Sequence, residues 1–141
     1  MPSPASTQEI ARREATFKTV TTLSGNTTLK VTDSGGEFLV SQAAADDITL
    51  PKMAACGAGW NATFTVKTTG SNDVDIIAGD TDTISGLEVA DAATTITELS
   101  KKVTFAGSAA GVGDWCHIWT DGTLWYARQF SFADAGATHT A

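Results

Sequence analysis

The chain has 141 residues, 42% of them hydrophobic, and a formal net charge of −7. That length fits one domain with a core of its own, and the apolar content is too high for a disordered chain. No apolar run nears the ~20 residues of a membrane-crossing helix, and the acidity argues against nucleic acid, whose binding rests on Lys and Arg neutralising phosphates.

The charge is uneven. Residues 1–30 hold Arg12, Arg13, Lys18 and Lys30 against Glu9 and Glu14, while the remainder holds five basic and fourteen acidic residues. The chain is rich in threonine and has 13 glycines. Threonine is β-branched and suits pleated strands, so composition points to β structure.

Taken in order, residues 1–16 read as an N-terminal arm. Pro2 and Pro4 oppose regular structure, and Ser6 with Glu9 has capping-box spacing for one short helix that is unstable alone. Residues 1–20 lack the apolar core of a signal peptide, so the expected place of synthesis is the cytoplasm. From Phe17 the pattern changes to short β segments. Phe17–Thr22 and Thr27–Val31 flank Ser24-Gly25-Asn26. Asp33-Ser34-Gly35-Gly36 reads as a turn before a strand over Glu37–Val40. Ala43–Asp47 reads as a loop, and Pro51 closes a short strand over Ile48–Leu50.

Trp60–Thr68 is the clearest strand: Trp60, Ala62, Phe64 and Val66 alternate with Asn61, Thr63, Thr65 and Lys67. A strand over Asp73–Ala78, a polar loop over Gly79–Gly86, strands over Thr94–Leu99 and Lys102–Phe105, and a loop over Ala106–Gly113 follow. Trp115–Trp119 and Thr123–Ala127 then flank Asp121-Gly122, the sequence of a two-residue hairpin turn. Its first strand carries Trp115, His117 and Trp119 on one side and Cys116 and Ile118 on the other. A strand with large side chains on both sides is central in a sandwich or packs on another chain. Residues 133–141 read as a tail. The expected fold is all-β: a single antiparallel β-sandwich, jelly-roll-like, over residues 17–132 with an extended N-terminal arm. No internal repeat of fixed period argues for a solenoid.

Chemistry-bearing patterns are sparse. His139 falls in the tail and His117 between two tryptophans, and no nucleophile elbow, P-loop or His-Glu-x-x-His occurs. The expectation is a non-enzymatic protein without cofactor. Asp73, Asp75, Asp80 and Asp82 are the candidate calcium ligands, against a reading as solvated strand and loop carboxylates, and no metal is expected. Asn26-Thr27-Thr28 and Asn61-Ala62-Thr63 match the glycosylation sequon by chance in a threonine-rich chain. Cys56 and Cys116 fit no CxxC motif, and Cys116 reads as core packing. Trp60, Trp115, Trp119 and Trp125 read as core first and as a sugar-stacking surface second.

Several phrases in one order carry a resemblance: Val31-Thr-Asp-Ser-Gly-Gly-Glu-Phe38, Ile48-Thr-Leu-Pro51, Gly59-Trp-Asn-Ala-Thr-Phe-Thr-Val66, and Gly113-Asp-Trp-Cys-His-Ile-Trp-Thr-Asp-Gly-Thr-Leu-Trp-Tyr126. Together, over about Thr22 to Ala127, they resemble a β-sandwich module of tailed-phage virion proteins, found in capsid decoration (cement) proteins and in the distal domains of tail fibres. A single module without a repeated shaft suits a decoration protein. The resemblance implies a homotrimer at local three-fold positions on the capsid exterior, with the major capsid protein as partner and no nucleic acid or membrane. Under that reading Arg12, Arg13 and Phe17 are the candidate capsid contacts, and Trp115, His117 and Trp119 the candidate trimer interface. The alternative is a receptor- or carbohydrate-binding tip domain of a tail or head fibre. These phrases are folding signals, and fold alone does not fix function.

Overall fold

A computed structural model describes residues 19–90, 94–133 and 135–140. The candidate capsid contacts Arg12, Arg13 and Phe17 lie outside the described residues. The fold is an all-β sandwich of two packed sheets. Its strands are β1 (Val20–Thr22), β2 (Thr27–Thr28), β3 (Gly36–Ser41), β4 (Asp46–Thr49), β5 (Asn61–Thr68) and β6 (Val74–Ile77). They continue as β7 (Ile84–Val89), β8 (Thr94–Ser100), β9 (Lys102–Phe105), β10 (Trp115–Thr120), β11 (Trp125–Phe130) and β12 (Ala137–Thr140). One short helix, α1 (Met53–Cys56), follows the Pro51 stop.

The larger sheet has seven strands in the order β1-β3-β5-β10-β11-β7-β8, and the smaller has five in the order β12-β9-β6-β4-β2. Among the described residues the sheets are mixed rather than antiparallel throughout. β1 with β3, β3 with β5, β2 with β4, β4 with β6, and β11 with β7 all run parallel. For the four pairs within β1 to β6 the reason is the path of the chain. From β1 to β6 successive strands alternate between the two sheets, so each crossing returns the chain to its first sheet in the same direction. Three turns stack this way, β1 and β2, β3 and β4, β5 and β6. The turns are unequal: Val20 stacks on Glu37, but Gly36 stacks on Ala62. A coil whose turns differ in length leaves no fixed period in the sequence.

Alternation decides which side chains enter the core. Ala62, Phe64 and Val66 of β5 are buried, and Asn61, Thr63 and Thr65 stay half-exposed. Cys116 and Ile118 of β10, Trp125 and Ala127 of β11, Ile84 of β7, and Val74 and Ile76 of β6 fill the space between the sheets. Each fully buried valine or isoleucine among them contributes roughly 1.5–3 kcal/mol. Trp60 meets Trp125 edge-on at 5.3 Å, and its indole N–H donates to the carbonyls of Lys30 and Val31. Phe38 stacks on Phe64 at 5.5 Å. Trp60 and Trp125 are therefore core, as is Cys116, whose thiol is pushed far up by burial. Both cysteines are free.

Strands also occupy segments that the pattern assigned elsewhere, and β4 already begins inside the expected loop over Ala43–Asp47. β7 lies partly in the expected polar loop, and β12 lies in the expected tail, where it pairs with β9. β7 hides its alternation because its inward positions are Ile84, Gly86 and Glu88, while Leu87 and Val89 point outward.

Candidate interaction face

The outer side of the seven-stranded sheet is built around β10 and β11. The hairpin between them has a four-residue loop, Asp121 to Leu124, rather than two residues. Asp121 makes that loop: its Oδ1 accepts the backbone N–H of Thr123 and Leu124 and the Thr123 hydroxyl, and Gly122 adopts φ +94°. A glycine accommodates that backbone without a Cβ clash. The Tyr126 hydroxyl donates to Asp121 Oδ2 at 3.0 Å. The backbone N–H of Thr123 and these further donors hold the Asp121 carboxyl well below the usual carboxylate range, and Asp121 in turn raises the Tyr126 phenol.

The longer loop sets the register. A two-residue loop would place Leu124 opposite Trp119; the observed loop moves every partner by two. Tyr126 faces Trp119, Arg128 faces His117, and Phe130 faces Trp115. Because the shift is even, the same side chains stay on the outer side.

The outcome is an aromatic strip of two stacked groups. Trp119 stacks with His117 at 5.5 Å and with Tyr126 at 5.6 Å, and the Arg128 guanidinium lies 5.2 Å from its ring centroid. Trp115 stacks with Phe130 at 6.1 Å, and Phe132, 64% exposed, meets Phe130 edge-on. Thr63 Oγ1 lies 2.9 Å from His117 Nδ1 and ties the strip to β5. Beside it, a shallow groove of about 330 Å³ runs between Trp119, Tyr126, Arg128, Leu87 and Ile96. Ile96, on the edge strand β8, is 75% exposed. Trp115, His117 and Trp119 are thus brought together on one surface. Sequence reasoning did not place Tyr126, Arg128, Phe130, Leu87 and Ile96 beside them. The signal that could have found the first three was the Asp121 loop, which sets their register.

The candidate calcium ligands do not converge. Asp75 bonds Lys102 at 2.7 Å and accepts the Thr104 hydroxyl. Asp73 accepts the Gly107 N–H, Asp80 pairs with Lys52, and Asp82 accepts the Met53 N–H. Among the described residues no three carboxylate, histidine or cysteine side chains gather as a metal site.

Chemically the outer face is suited to adhesion. Trp, Tyr and Arg are the residue types that dominate binding energy at protein interfaces. Comparison with family models, with curated proteins and with solved structures returned no significant match.

Proposed function

We propose that this chain is a non-enzymatic structural virion protein, a decoration subunit that binds the exterior of an assembled phage capsid as a homotrimer. The observation that carries the reading is the strand β10, with Cys116 and Ile118 in the core and Trp115, His117 and Trp119 on a half-exposed outer strip. A rigid sandwich with a preformed aromatic and arginine surface supports adhesion, and the ordered phrases that resemble phage virion modules supply the partner class. In this reading the outer strip lies between subunits. Arg12, Arg13 and Phe17 meet the coat, where the basic residues face carboxylates.

The mechanism is mass action. A protein that binds the assembled lattice and not free coat subunits shifts the equilibrium toward the shell, by about 2.7 kcal/mol per site at a hundred times its Kd. A trimer bridging neighbouring coat subunits adds avidity. The test is to mix purified protein with undecorated capsids and image them. Density in threes at local three-fold positions, with a raised temperature of capsid disruption, is expected, and a variant lacking residues 2–16 should bind weakly. Capsids that stay bare, together with binding to a glycan array, would replace this reading with that of a fibre tip domain.

A further inference from the structure

His139 belongs to β12, the outermost strand of the five-stranded sheet, and is paired in register with the inward-facing Val103 of β9. Its ring crosses to the opposite sheet and lies on Gly86 of β7: a Cβ at position 86 would collide with Cε1, Nδ1 and Nε2 of the imidazole. Both ring nitrogens are sealed from solvent, and among the described residues neither has a hydrogen-bond partner. Either neutral tautomer leaves one N–H and one lone pair there; the protonated ring would bury two donors and a charge, which is much less favourable.

The charged groups on the packed elements do not relieve this. Glu88, on the inward side of β7, is itself buried, and burial pushes its carboxyl up. Lys102 of β9 is bonded to Asp75, and the neighbouring Lys101 donates its ammonium to the carbonyl of Asp82. Glu98 of β8 is exposed. The strand that carries the histidine is short, pairs with β9 and leaves Thr138 and Thr140 in solvent.

We propose that His139 is an acid-sensitive latch: neutral, its ring fills the space over Gly86 and holds β12 on β9; protonated, it leaves, and the edge of the five-stranded sheet opens. The direction follows from burial, which holds the imidazole below its ordinary value. The docked strand binds protons less readily than the released one. Its stability is complete above the ordinary imidazole value of about 6.5 and is lost as pH falls below it.

Hydrogen exchange of the intact chain at pH 7.5 and 5.5, corrected for intrinsic exchange, tests this. The reporters are the amides of residues 137–140 with those of Lys101 and Ala106, which donate to the carbonyls of Thr140 and Gly136. A loss of protection of up to about tenfold is expected one unit below the ordinary histidine value, with β5 and β10 unchanged. His139→Phe keeps a ring and removes the proton site, so the acid loss should vanish. Should that variant not fold, direct titration of His139 by NMR in the natural chain decides. An imidazole that titrates at its ordinary value while β12 stays protected would overturn the latch. So would protection unchanged at pH 5.5, or an undiminished acid loss in His139→Phe.

Discussion

Asp114 shows how much one side chain can hold. It is fully buried, and its carboxylate accepts the Gly111 N–H, the Ser131 hydroxyl and the Phe132 N–H. One residue thus fastens the loop before β10 to the exit of β11. Asp114→Ala would leave the buried Ser131 hydroxyl and two part-buried backbone N–H groups without their acceptor, where each unmade buried bond costs about 1–3 kcal/mol. The expected loss is about 3 kcal/mol or more, read as a lower urea midpoint at unchanged slope. Asp114→Asn keeps one oxygen and should lose less. This role was not legible in the sequence, where Asp114 falls between the expected loop over Ala106–Gly113 and the strand from Trp115. Trp60 was legible because it stands on the apolar side of an alternating run, and Cys116 because it sits in an apolar run.

At the scale of elements, strands were readable where both sides of the alternation had distinct chemistry. β5 shows apolar and polar positions in strict turn, and its bounds follow from them. β7 was not readable, because Gly86 and Glu88 occupy inward positions that a pattern assigns to large apolar residues. The hairpin was legible as a hairpin, but its loop length was not. Asp-Gly signals a two-residue turn, whereas the carboxylate of Asp121 captures Thr123 and Leu124 and lengthens the loop to four. Three of the outer-face residues were found from β10 alone, and their neighbours depended on that register. The contact between β7 and β12 can be checked directly. Gly86→Ala places a methyl against the His139 ring and should cost about 1–3 kcal/mol. Its cost should shrink in a His139→Ala background, since the collision is with that ring. A double-mutant cycle by urea unfolding measures the coupling; additive losses would mean that the two residues do not touch.

For the whole molecule, the all-β sandwich was legible from composition and turn spacing, and the order of its strands was not. Crossing between sheets from β1 to β6 makes four of the ten pairings among the described residues parallel, and nothing local in a strand's sequence records which sheet its neighbours occupy. What the topology does for function is to set β10 and β11 inside the seven-stranded sheet, with strands on both sides. Apart from Phe132, the aromatic strip is thereby carried on strands paired on both sides rather than on loops. Preorganisation of this kind reduces the entropy lost on association. The central claim, that this outer face joins copies of the chain, rests on Trp119, which packs with His117, Tyr126 and Arg128 at the hairpin end of the strip. Light scattering of the natural chain and of Trp119→Asp at equal concentration tests it most directly. The natural chain should have three times the 14.6 kDa subunit mass and the variant the mass of one subunit, with the variant's sandwich still folded by circular dichroism. A natural chain that is monomeric, or a variant that remains trimeric, would contradict it.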